Sequence, residues 1–200
     1  MKVNNKILLF TSVVLLLYEA FYIINSNSPP TIKTVEAKYL PTESLEDLEL
    51  ESELIVKVMK VSEESKILVT KSSSDSNSKY DDPLTLSTFR IEKIYFDETN
   101  IVKASDELVV EEFAGYTKNL FTGNKTLISP AEYTLAAKDH SYLLFLRKSK
   151  SSPDNYIIFA NHFGKFTPDP TENSQILSKF NQEEASIYQE IAHEAFQKYQ

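Results

Sequence analysis

The chain of 200 residues has no cysteine and no tryptophan, and only three glycines and three histidines. Without cysteine it can have no disulfide framework, thiol nucleophile or thiolate metal site, nor the acylated amino terminus of a lipoprotein, so its fold must be held by an apolar core. So few glycines leave little for the loops that cradle phosphates. Positive charge is also short. The net charge is -8, all of it carried after residue 25, because Lys2 and Lys6 outweigh Glu19 before that point. This balance argues against nucleic acid, whose binding depends on neutralising phosphates with Lys and Arg, and against anionic headgroups as ligands. Tyr 11 and Phe 12 supply the aromatic material of a β-rich core, and the Lys, Asn, Ser and Ile bias reads as bacterial.

What the chain does have is an apolar run from Ile7 to Ile24, preceded by Lys2 and Lys6 and broken by Glu19. About 18 residues at roughly 1.5 Å each give about 27 Å of helix, close to a thin hydrocarbon core. The lysines keep the short N-terminus inside and direct the rest outward. Tyr18 and Tyr22 suit the outer boundary, where Glu19 can reach the interface. Cleavage after Ala20 would place bulky Tyr18 at -3, and Val35-Glu36-Ala37 lies well past the run, so an uncleaved signal anchor is expected. Residues 1–6 are then cytoplasmic and 7–25 transmembrane. A linker over 26–41 follows, marked by Pro29, Pro30 and Pro41. A β-barrel ectodomain at 42–170 and a C-terminal helical segment at 171–200 complete the organisation.

Leu45 and Leu48 at helical spacing predict a short acidic helix over 42–53. β-Branched residues predict a strand over 54–61, and a polar turn at 62–66 predicts a hairpin with a second strand over 67–70. Residues 72–80 read as a mobile polar loop. Further strands are expected at 84–95, 107–113, 142–147 and 156–161. Ser129-Pro130-Ala131-Glu132 has helix-start chemistry. Near the end, Asn181 and Glu184 form a capping signal. Ile187, Tyr188, Ile191, Ala192, Ala195 and Tyr199 then recur on one face, read as a docking surface, with Glu194 and Lys198 as an i,i+4 pair. The fold class is mainly β: a small antiparallel OB-like barrel of about six strands with a C-terminal α-helix, preceded by an N-terminal transmembrane helix.

The segments from Ser52 to Val61, Ser87 to Phe96, Leu108 to Glu112 and Tyr142 to Leu146 follow one another in an order that resembles the OB-like barrel of the netrin and tissue-inhibitor-of-metalloproteinase superfamily, and more closely its small exported bacterial relatives. The resemblance covers about residues 52–167. It implies a scaffold whose faces and loops host binding sites. The metalloproteinase inhibitors act through an amino-terminal cysteine that this chain lacks, so no functional residue transfers.

No assembled chemistry is legible. His140, His162 and His193 are far apart in sequence and read as surface or hydrogen-bonded histidines. Asp75, Asn77, Asp81 and Asp82 suggest a calcium loop, but Lys79, Tyr80 and Leu86 occupy positions where the EF-hand template needs a ligand, a Gly and a Glu. No serine lies in Gly-x-Ser-x-Gly, and Phe121 to Lys125 lacks the lead of a P-loop. Asn124-Lys125-Thr126 is a formal glycosylation sequon. Tyr116, Phe121 and Tyr133 are the candidates for a recognition surface, with at least two of them expected in the core.

The expected function is that of a membrane-tethered extracytoplasmic binding protein without catalytic activity. Its partner would be a protein or a cell-wall component, with no catalytic residue, cofactor or metal, and its oligomeric state is open. The alternatives are an extracytoplasmic hydrolase using Asp81, Asp82 or Glu112, and a protease inhibitor acting through a loop.

Overall fold

A computed structural model describes residues 5–35, 42–69, 81–119, 121–130 and 133–199, with side chains placed from residue 11 onward except at 66–69 and 81–83. Three strands come first in the fold's logic: β2 (Leu54–Val69), β3 (Asp81–Asp97) and β4 (Glu107–Glu112) form an antiparallel meander. Strand β8 (Tyr156–Ile158) pairs in parallel with β4, and β7 (Ser141–Lys148) pairs antiparallel with β8 and with β2. The ring therefore closes in the order β2-β3-β4-β8-β7. This small five-stranded barrel is consistent with an OB-like fold. A two-residue strand, β9 (Lys165–Phe166), extends the sheet beyond β7 and makes it six-stranded. The expected all-antiparallel pairing is corrected at β4 and β8, which run parallel because the chain crosses over between them.

Strand alternation sorts side chains into two cores. On β7, Tyr142, Leu144 and Leu146 point into the barrel, while Leu143 and Phe145 face a second cluster outside it. Both faces of β7 are covered, which is why Tyr142 to Leu146 reads as one apolar run. The cover is helical. It consists of α2 (Leu45–Glu51), capped by Ser44, α3 (Pro170–Leu177), capped by Asp169, and α4 (Gln182–Lys198), which has the complete Asn181–Glu184 capping box. The expected docking stripe holds: Tyr188, Ile191 and Ala195 are buried in the outer core, with Ile187 and Ala192 packed at its edge. Lys198 makes its ion pair with Glu49 of α2 at 2.7 Å rather than along its own helix.

The polar stretch at 62–66 is no turn. β2 runs through it as one strand of 16 residues, because Ser62 to Val69 pair with Asp81 to Thr88, and the side chains of Ser62 to Ser65 are exposed. The loop expected at 72–80 lies outside the described residues.

The connection from Phe113 to Tyr142 holds a hairpin of β5 (Gly115–Lys118) and β6 (Lys125–Pro130) that sequence patterning missed. The helix expected at Ser129 is absent from the described part of that segment. Ser129 and Pro130 end β6, and the Ser129 hydroxyl bonds the Tyr133 carbonyl at 2.6 Å instead of capping a helix.

The N-terminal region forms α1 (Asn5–Asn27) and then β1 (Thr31–Val35), which pairs in parallel with β6. The expected linker over 26–41 is therefore partly a strand, built from the β-branched residues Thr31, Ile32, Thr34 and Val35. Among the described residues no helix is long and apolar enough to cross a membrane. The transmembrane helix expected over 7–25 is not found among them.

Candidate functional site

Among the places where polar and aromatic side chains concentrate are the plugged end of the barrel and a groove at the seam between barrel and helices. The plug follows from strand period. Leu54, Val56 and Val58 line the barrel and Lys60 continues the same face of β2; Leu108 and Val110 line it and Glu112 continues β4. Both charged side chains are fully buried, as is that of Lys165 on β9. Glu112 accepts hydrogen bonds from Ser87 (2.5 Å), Tyr133 (2.7 Å) and the Ala136 backbone N–H (2.9 Å). The Nζ atoms of Lys60 and Lys165 stand 3.4 and 3.6 Å from its two oxygens. Lys60 also donates to the Ala136 carbonyl (2.6 Å) and to Glu63 (2.5 Å), and Lys165 to the Thr134 carbonyl.

Burial on its own would raise the Glu112 carboxyl, but Lys165, Lys60 and the donated hydrogen bonds outweigh it and hold the group below the usual carboxylate range. Burial pushes the Lys165 ammonium down despite Glu112 and Glu172. The Tyr133 hydroxyl is driven well above its usual value by burial and by Glu112. These groups satisfy one another in a closed space. Glu112, one of the carboxylates a hydrolase would use, is thus committed to the interior of the fold and open to no cleft. The side chains of Asp81 and Asp82 lie outside the described residues, as does the Asp75 and Asn77 segment.

The histidines do not converge. His140 Nδ1 lies 3.1 Å from Glu172, whose two oxygens accept from the Tyr142 hydroxyl at 2.6 and 2.7 Å. Burial and Glu172 together raise the Tyr142 hydroxyl far beyond its usual value. His162 is buried against the rings of Tyr133 (4.9 Å) and Phe180 (5.3 Å), and His193 is exposed on α4 beside Gln197. Among the described residues no group of His, Asp and Glu is arranged to hold a metal ion. The three aromatic candidates also separate: Tyr133 is buried, Tyr116 half-buried and Phe121 exposed.

The groove is the more open feature, with a volume of about 690 Å³. Its floor is the outer face of β2, β3 and β7, and its far wall is the last turn of α4 together with the segment leading into α3. The Tyr95 and Tyr199 rings pack at a tilt with their centres 5.0 Å apart, and the Tyr95 hydroxyl donates to the Tyr199 carbonyl, tying the end of α4 to β3. Lys93 lies 4.7 Å from the centre of the Tyr95 ring, and Lys57 pairs with Glu92 at 3.5 Å, both lysines remaining exposed. Burial raises the Tyr95 hydroxyl, partly offset by Lys57. The groove therefore offers aromatic faces rimmed by exposed ammonium groups, and its size falls within the ~300–1,000 Å³ of ordinary ligand sites. Sequence reasoning missed it because its lining comes from five separate segments. The available signal was the aromatic end of α4, whose Tyr199 was read only as a docking residue.

No family model matches the chain, and no curated protein matches it. What the structure supports is the coarser statement, a small closed five-stranded barrel consistent with an OB-like fold, and no family match supports the netrin and tissue-inhibitor superfamily.

Proposed function

We propose that this protein is a membrane-tethered, extracytoplasmic binding protein without catalytic activity, in which α1 is an uncleaved signal anchor and the barrel presents its seam groove to a protein or cell-wall partner. The observation that carries the binding reading is the groove itself: Tyr95, Phe196 and Tyr199 line an open space of about 690 Å³ beside Lys57 and Lys93. Rigid aromatic faces contribute contact area at low entropic cost, and flanking ammonium groups add orientation. The anchor is supported by the whole run from Ile7 to Ile24 and the two lysines before it. Descent from the exported bacterial branch of the superfamily is supported by strand order and by the same N-terminal run.

The test is photocrosslinking in intact cells with a benzoylphenylalanine in place of Lys93, in the groove, or of Glu183, exposed on the opposite end of α4. Adducts at position 93 well above those at 183, removed by external protease, are expected. Equal labelling at both positions overturns the groove as the binding site, and protection of the adducts until lysis overturns the extracytoplasmic location.

A further inference from the structure

The turn between β5 and β6 reaches back to α1. The Tyr18 hydroxyl donates to the Phe121 carbonyl at 2.9 Å, and Lys118 Nζ lies 4.9 Å from the centre of the Tyr22 ring. Gly123 has φ +78°, and a Cβ there would come within 2.9 Å of the Tyr22 carbonyl oxygen, so this turn is shaped for close approach to the helix. Yet the Phe121 side chain is 80 % exposed, more than any other described phenylalanine. α1 in turn exposes Leu17, Phe21 and Ile24. An aromatic tip held against an apolar helix, flanked by Tyr18, Tyr22 and Lys118, has the make-up of a membrane-interface belt.

The connection to the barrel gives an independent reason. β1 begins at Thr31, soon after α1 ends at Asn27, and is hydrogen-bonded to β6. So short a connection cannot hold the hairpin away from the end of the helix. Tyr18 precedes Ile24 by six residues, about 9 Å along the axis. That is within the ~5–10 Å to which interfacial apolar groups sink below the headgroups.

We propose that the β5–β6 turn, led by Phe121, dips into the outer interface of the lipid bilayer beside α1 and seats the barrel on the membrane. The inference rests on the reading of α1 as an anchor. The lipid surface it takes is neutral in charge: apolar burial of one ring does the work, with Lys118 over the Tyr22 ring and Glu19 on the same stretch of helix.

Because the natural chain has no tryptophan, one introduced Trp is its only indole. The experiment places Phe121→Trp, Val14→Trp or Leu50→Trp in the full chain, reconstituted in phosphatidylcholine vesicles with brominated acyl chains. All three native side chains are exposed, so each variant is expected to fold. Val14→Trp reports the helix and Leu50→Trp, on α2, reports water. Expected is at least twofold quenching of both Val14→Trp and Phe121→Trp, with Leu50→Trp unchanged. Quenching of Val14→Trp with Phe121→Trp behaving like Leu50→Trp overturns the seated barrel and leaves the anchor standing. Absence of quenching at Val14→Trp overturns the anchor, and the seating with it.

Discussion

The barrel interior and the layer packed beneath α4, apart from the open groove at its edge, both exclude water, yet they are built from different materials. The interior joins aliphatic side chains such as Val56, Val110 and Leu144 to a plug of Glu112, Lys60 and Lys165. The seam is held mainly by rings and aliphatic groups, Phe145 against Phe166 at 5.9 Å, Phe166 against Tyr188 at 5.3 Å, with Ile191 and Ala195 between helix and sheet, together with a hydrogen bond from the Tyr188 hydroxyl to the Lys165 carbonyl at 3.0 Å. Adjacent residues of β9 serve the two sides, Lys165 inward and Phe166 outward. The difference teaches where each region is vulnerable. A buried charge network depends on every member staying in place, while an apolar seam loses stability in proportion to the surface and volume removed.

The largest effect should therefore come from the plug. Glu112→Ala strands two buried ammonium groups, a loss expected at about 3–5 kcal/mol in urea-induced equilibrium unfolding. A loss below about 1 kcal/mol would mean that the lysines find other partners and that the two regions are alike. The same group sets a pH signature. Its folded carboxyl is held below its ordinary value of 4.5 by Lys165 and Lys60 against the effect of burial, so the unfolded chain takes up the proton first. The stabilisation is complete above that ordinary value and is lost as pH falls from it toward the lower folded value. Unfolding curves of Glu112→Gln should accordingly be flatter with pH below about 4.5 than those of the parent.

A cut in the seam should be nearly as large but blind to pH. Ile191 is 1 % exposed on the inner face of α4, and Ile191→Ala is expected to cost about 2–5 kcal/mol through lost transfer energy and the cavity left behind. Thermal unfolding measures it. The acid limb of the stability curve should keep the parent's slope, and a changed slope would show that the seam and plug are energetically coupled.

The seam was legible in the sequence because one helix carried both its cap and its stripe: Asn181 and Glu184 fix the start of α4, and the spacing of Tyr188, Ile191 and Ala195 fixes the buried face. The barrel was legible where strands alternate or run apolar, as at Leu54 to Val58 and Tyr142 to Leu146. The plug had a signal that went unread, since Glu112 keeps the period of Leu108 and Val110. Lys60 likewise keeps the period of Leu54, Val56 and Val58, and what no local pattern could show was Lys165 on the two-residue β9, or that the three groups meet through pairing distant in sequence. β1, β5 and β6 escaped for a related reason: their strands are short and only partly buried, so alternation is weak. Asp169-Pro170 is a helix-start signal that went unread, and with Ile176 as its main buried apolar residue α3 has almost no stripe. The groove depends on five such segments meeting, and only its Tyr199 edge was visible.

The smallest expected effect isolates what burial does to an ion pair. Lys198 and Glu49 meet at 2.7 Å, closer than either lysine stands to Glu112, but the two side chains are 54 % and 24 % exposed. Solvent screening and the entropy of the long lysine chain offset most of the attraction, so Lys198→Ala should cost under about 1 kcal/mol. Glu49 keeps the Tyr199 hydroxyl at 2.6 Å, which limits the damage further. A double-mutant cycle with Glu49→Gln, run at low and high salt, measures the coupling. It should be a few tenths of a kcal/mol and shrink as salt rises. Coupling that survives 1 M salt would place this rim pair in the same class as the plug, and with it the distinction between the two regions would fail.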